Sequence, residues 1–165
     1  MKVISNSSIL IGLSAIGRLE LLHRRFPEGV IVPDAVWQEV VETGHGRTGA
    51  DQVATAEWIC RQQIQNIIFA TALQAYLDQG EAEVIALGQE IGADLLLLDE
   101  KSARSVAARL QYPVLGTIGV LIWAKRKHII SSLSSELALL QKKGGFRVSK
   151  VVYEYALEQA GERKE

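Results

Sequence analysis

Cysteine is almost missing from this chain of 165 residues. Cys60 stands alone, so no internal disulfide can form and no cysteine-rich zinc site can be built, which suits a reducing compartment. No stretch reaches the roughly 18 apolar residues that a membrane-spanning helix needs. Lys2 followed by the apolar Ile9–Ile16 bears a faint likeness to a secretion signal, but Ser5-Asn6-Ser7-Ser8 and Gly12 interrupt it and no small-residue cleavage site follows. The expectation is a soluble, cytoplasmic protein. The glycine-rich Gly44-His45-Gly46-Arg47-Thr48-Gly49 lacks the order of a phosphate-binding loop and reads as a surface loop. Internal repeats and low-complexity tracts are absent. Acidic residues nearly vanish from residues 101–150, where Glu136 stands against ten Lys and Arg; residues 1–100 hold 14 Asp and Glu against six basic residues. The net charge of −1 therefore conceals an acidic first part beside a cationic second part.

The sequence does hold enough apolar residues, 48%, for the core of one domain over residues 1–165. Its organising stretch is Gly80–Glu100. A helix is predicted over Glu81–Ile91, Gly92 stops it, and Leu95–Leu98 reads as a strand buried on both faces, as in a parallel sheet covered by helices. On a helical wheel Val84, Ile85, Leu87, Gly88 and Ile91 make one apolar arc. Glu81 falls inside that arc, whereas Glu83 and Glu90 are predicted to face away. Asp99 sits where the buried strand ends, and a buried carboxylate needs a partner or a metal.

Further strands are predicted at Lys2–Ser5, Val30–Val32 and Pro113–Leu115. Helices are expected from Ser7 or Ser8 to Ile16, from Ile16 to Phe26, from Pro33, over Gly49–Cys60, Ala70–Leu77, Lys101–Leu110, Thr117–Lys127, Ser131–Lys143 and Ser149–Gln159. Ile64–Phe69 is an apolar run with no clear period. Strands alternating with helices indicate a three-layer α/β/α sandwich with a central parallel sheet. Ligands of such folds bind beyond the carboxyl ends of the strands, so Asn6, Asp99 and Thr117, each just after a predicted strand, should share one edge.

Glu39, one turn from the core-facing Val36, joins Glu81 and Asp99 as an inward carboxylate, and Asn6 adds a neutral oxygen. Oxygen donors with no cysteine or histidine pair among them select Mg²⁺ or Mn²⁺ over zinc. Such an ion activates water for attack on phosphorus, while the cationic segment holding Lys101, Arg104, Lys125, Arg126 and Lys127 would bind the rest of a polyanion. Each residue also has a simpler reading. Glu81 can serve a helix N-terminus, Asp99 and Thr117 can be helix N-caps, Glu39 can pair with an arginine, and Asn6 can be a turn residue.

Val3-Ile-Ser-Asn-Ser-Ser, Pro33-Asp-Ala-Val-Trp-Gln-Glu-Val, Gly80-Glu-Ala-Glu-Val-Ile-Ala-Leu, Leu96-Leu-Leu-Asp-Glu and Leu115-Gly-Thr-Ile-Gly-Val together resemble PIN-domain proteins, in the right order over nearly the whole chain. The likeness is to a prokaryotic branch of nucleic-acid-binding proteins related to the VapC-type toxins. It implies a Mg²⁺- or Mn²⁺-dependent ribonuclease fold. Asn6 then stands where most PIN domains have their first aspartate; Glu39, Glu81 and Asp99 match the second, third and fourth acids, with Glu100 beside the last as a helper. Thr117 matches a threonine of the family, but Gly119 stands where some members carry a further aspartate. RNA, a small antitoxin-like protein and a second copy of the chain are the partners expected, and no membrane. The alternative is a nucleic-acid-binding or regulatory PIN domain whose catalysis is weakened by Asn6.

Overall fold

In the computed structural model, residues 1–162 are described. Five short strands form one parallel sheet: β1 (Val3–Ser5), β2 (Val30–Pro33), β3 (Ile59–Gln62), β4 (Leu95–Leu97) and β5 (Val114–Leu115), in the order β3-β2-β1-β4-β5. Ile4 of β1 is in register with Ile31 on one side and Leu96 on the other. Ten α-helices fill the connections: α1 (Ser7–Ala15), α2 (Glu20–Arg25), α3 (Asp34–Trp37), α4 (Ala50–Thr55), α5 (Ile67–Leu73), α6 (Gln79–Ile91), α7 (Lys101–Arg109), α8 (Thr117–Arg126), α9 (Leu133–Lys143) and α10 (Lys150–Gln159). One layer is built on α6, which packs with α3, α5 and α7; the other is built on α8, which packs with α1, α2, α9 and α10. The result is the expected α/β/α sandwich.

The strand order decides where function can sit. From β1 the chain moves outward to β2 and β3 on one side, then returns to β4 and moves outward to β5 on the other. The topological switch point therefore lies between β1 and β4, and a crevice opens outside their carboxyl ends. Asn6 follows β1 directly and its N–H donates to Leu97 O at 3.1 Å, which ties the two strand ends together.

Several boundaries differ from expectation. The predicted helix over Gly49–Cys60 stops at Thr55, and Ile59–Gln62 becomes the fifth strand, pairing with β2 from Val30–Ile59 to Pro33–Gln62. This strand lies at the sheet edge with Cys60, Arg61 and Gln62 exposed, so it carries no buried alternation to betray it. The apolar run before Phe69 enters α5, whose first turn is capped by Asn66 accepting from Phe69 N–H at 3.1 Å. Pro33 ends β2 instead of opening the helix, which begins at Asp34.

Glu83, which the helical wheel points to solvent, is buried. Every residue from Gly80 to Gly88 is buried, Glu83 included, because α3 covers the face assigned to solvent. Glu83 Oε1 accepts the N–H of Ala35 at 3.1 Å, so its charge faces the N-terminal turn of α3. A helix enclosed on all sides has no polar stripe to read.

Candidate functional site

A cleft of about 1190 Å³ opens at the switch point, and its acidic end is lined by Asn6, Glu39, Asp78, Asp99 and Glu100. Local structure explains how each arrives there. Asn6 occupies the N-cap position of α1 with extended backbone, but its side chain caps nothing and remains almost wholly buried. The next two hydroxyls serve the carboxylates. Ser7 Oγ donates to Glu39 Oε2 at 2.7 Å, and Ser8 Oγ donates to Asp99 Oδ2 at 2.9 Å.

Glu39 is presented from a widened stretch of helix, Gln38–Glu42, where Thr43 N–H reaches back five residues to Gln38 O at 2.7 Å. Such π-turns add a residue to the helical circuit and recur at functional sites. Glu39 is exposed at the cleft rather than turned inward as expected, because the widened helix buries only Val40, and no arginine pairs with it among the described residues.

Asp99 is the most firmly held acid. Its Oδ1 accepts the Thr117 N–H at 2.7 Å, and its Oδ2 accepts the Thr117 hydroxyl at 2.8 Å as well as that of Ser8. It therefore faces the N-terminus of α8, across the sheet edge, and does not cap α7, whose N-cap position is taken by Glu100. Three of about four lone-pair sites on the carboxylate are occupied, which leaves room for one more partner. Thr117 is fully buried, so its contribution is to hold Asp99, and the expected contact with nucleic acid does not fit that position. Gly116 makes this approach possible: a Cβ there would lie 2.7 Å from Arg104 Nη1 and 2.9 Å from Asp99 Oδ1. Arg104 is steadied by donating to Leu98 O at 3.3 Å.

Glu81 lies one layer deeper than the cleft surface. It forms a reciprocal capping box with Asp78: Asp78 N–H donates to Glu81 Oε1 at 3.0 Å, and Glu81 N–H donates to Asp78 Oδ1 at 2.8 Å. The simpler reading of Glu81 thus describes one of its oxygens. The other, Oε2, is buried and has no hydrogen-bond partner among the described residues. Burial holds the carboxyl above its ordinary range; the Asp78 N–H opposes that shift, while the Asp78 and Glu100 carboxylates reinforce it. Asn6 Oδ1 lies 3.0 Å from where a side chain on Gly80, the residue before Glu81, would begin.

The predicted cations divide. Lys101 and Arg104 line the cleft beside Asp99 and Glu100. Lys125 and Arg126 are engaged elsewhere, with Lys125 Nζ donating to Ser131 O at 2.8 Å and Arg126 donating through Nε to Gln159 O at 2.8 Å and through Nη2 to Gln159 Oε1 at 2.9 Å. Neither these nor the exposed Lys127 line the cleft. Sequence reasoning overlooked Ser7, Ser8, Asp78 and the C-terminal lining residues Phe146, Arg147 and Tyr155. Only Asp78 had a legible signal, the Asp-x-x-Glu pattern of the capping box.

The fold is thus a parallel α/β/α sandwich whose switch-point cleft is lined by acidic residues at one end. The family model described as PIN domain matches residues 2–162, and this chain belongs to the PIN-domain family. PIN domains are in general nucleases that bind nucleic acid and typically use divalent metal ions. No curated protein and no solved structure matches the chain. Among the described residues no helix is long and apolar enough to cross a membrane.

The donor chemistry suits a hard cation. Every donor at the acidic end is an oxygen, and the buried, unpartnered Glu81 Oε2 is the kind of atom a cation satisfies. The spacing is not closed, however, since among the described residues no three acids stand close enough together to hold an ion.

Proposed function

We propose that this protein is a Mg²⁺- or Mn²⁺-dependent endoribonuclease that hydrolyses RNA phosphodiester bonds in the switch-point cleft. The observation that carries this reading is the cleft itself, where an end lined by Glu39, Asp78, Asp99 and Glu100, with the unsatisfied Glu81 carboxylate oxygen buried behind it, adjoins Lys101 and Arg104, which have no carboxylate partner among the described residues. Asn6, Glu39, Glu81, Asp99 and Glu100 would hold the metal. The bound ion would supply charge neutralisation at phosphate and a water acidic enough to act as a nucleophile. Ser7 and Ser8 orient Glu39 and Asp99, Thr117 fixes the Asp99 rotamer, and Lys101 and Arg104 hold the phosphates flanking the scissile one. The biological setting proposed is that of a toxin neutralised by a small partner protein, with self-association as a second form of assembly.

One observation favours a second reading. The acids do not close on a metal position, and Asn6 contributes no charge to draw one in. On that reading the protein binds nucleic acid and cleaves slowly or not at all. Incubating end-labelled RNA with purified protein in Mn²⁺ and in EDTA separates the two: cleavage present only with Mn²⁺ supports the nuclease, and intact RNA that is nonetheless bound supports the binding module.

Asn6→Asp is expected to move metal affinity and stability in opposite directions. Without metal, a further carboxylate in this nearly closed position, in the same cleft as Glu39, Asp78 and Asp99, should cost about 1–3 kcal/mol of stability through burial and repulsion. With Mn²⁺ the same charge should tighten binding by calorimetry. An Asn6→Asp protein that melts like its parent and binds Mn²⁺ no better would remove Asn6 from the metal position.

A further inference from the structure

Part of the cleft lining comes from the C-terminal segment, through Phe146, Arg147, Val152 and Tyr155. This wall is built to hold a shape. A side chain on Gly12 would begin 2.6 Å from Phe146 Cε1 and 3.0 Å from its Cζ, so the Phe146 ring lies directly on the backbone of α1. Gly145, at φ +69°, turns the chain into this position, and Phe146 N–H donates to Leu140 O at 3.3 Å. Ser149 then starts α10, its hydroxyl accepting from Val152 N–H at 3.2 Å. Ala156 and Leu157 bury the inner face of α10, while Tyr155 remains 59% exposed on the cleft side. Arg147 is exposed, and like Lys101 and Arg104 it pairs with no carboxylate among the described residues.

An exposed ring and a guanidinium on one wall, in the same cleft as Lys101 and Arg104, suit a ligand with flat, apolar faces on an anionic backbone. We propose that the C-terminal wall is a base-stacking subsite, in which Tyr155 takes one unpaired base of a single-stranded nucleic acid whose phosphates lie along Arg147, Arg104 and Lys101. Bases already stacked within a duplex cannot offer a face to Tyr155, so this wall selects single strands. The free cations favour a polyanion over an apolar peptide, although Val151 and Val152 extend the exposed surface beside the ring. The inference rests on the cleft's binding nucleic acid and is independent of metal and cleavage.

The test uses the full chain in EDTA, with a labelled oligouridine, an abasic strand of the same length and a duplex, followed by fluorescence anisotropy. The parent should prefer oligouridine over the abasic strand by about 5- to 150-fold, the usual worth of one stacked base. Tyr155→Ala should lose that preference with its salt dependence unchanged, and Tyr155→Trp should restore it. Arg147→Ala should keep the preference and lower the salt slope by about 0.7, one single-strand phosphate contact. Circular dichroism melting confirms that each variant is folded. If Tyr155→Ala retains the parent's preference while the Lys101→Ala/Arg104→Ala variant still weakens binding, the stacking subsite is refuted and the nucleic-acid cleft survives. If no strand binds the parent, the cleft reading fails and the subsite fails with it.

Discussion

Replacing Glu81 by glutamine is expected to stabilise the metal-free protein while removing most of its response to Mn²⁺. Glutamine retains a carbonyl oxygen to accept the Asp78 N–H, so the capping box can persist. What disappears is a negative charge with a buried, unpartnered oxygen beside Asp78 and Glu100. The sign of the pH dependence follows from the raised folded pKa. In the folded chain Glu81 keeps its proton at pH values where the unfolded chain has already released it. The parent's stability should therefore fall as pH climbs from the ordinary glutamate range through the raised folded value, and it should not recover above that. The variant should lack this fall, which thermal melts across the acidic to neutral range would detect.

Added Mn²⁺ should reverse the ranking, because a ligand that binds only the folded state stabilises it by mass action. For the parent we expect Mn²⁺ affinity at least about tenfold above that of Glu81→Gln, a difference of about 1.4 kcal/mol, with RNA cleavage reduced by at least as much. Glu83→Gln is the control, since its carboxylate faces the start of α3 and its loss should alter stability without altering the Mn²⁺ response. If Mn²⁺ shifts the melting of Glu81→Gln as far as that of the parent, Glu81 is a helix cap and nothing more.

The contrast between these two glutamates shows what the sequence could and could not convey. Parallel strands were legible because central strands buried on both faces leave continuous apolar runs such as Leu95–Leu98. The carboxyl-edge position of Asn6 and Asp99 followed from the same logic. By contrast, β3 was illegible because three of its four residues face solvent. Glu83 was misplaced because periodicity assumes a solvent face, and α6 has none over its first turns. The hydroxyls of Ser7 and Ser8 escaped notice because their partners, Glu39 and Asp99, lie 32 and 91 residues away along the chain. Contacts of that range depend on strand order, which local patterns do not encode.

The same limit applied to the basic segment, and it yields the second large effect. By composition Lys101, Arg104, Lys125, Arg126 and Lys127 form one cationic block, whereas in space only the first two reach the cleft. Replacing Lys101 and Arg104 together by alanine should lower the salt slope of RNA binding by about 1.4, two single-strand phosphate contacts at about 0.7 each. Affinity at low salt should fall at least about tenfold to a hundredfold, since each charge-assisted contact is worth about 1.5–3 kcal/mol before partial replacement by water. Replacing Lys125, Arg126 and Lys127 should leave the slope nearly unchanged. That variant should instead melt earlier, because Arg126 binds Gln159 twice and Lys125 holds the turn at Ser131. Anisotropy titrations over a series of salt concentrations, in EDTA to prevent cleavage, read both effects. Equal slopes for the parent and the Lys101/Arg104 variant would show that phosphates do not follow this cleft. A large loss of slope in the second variant would place the path over the far end of α8 instead.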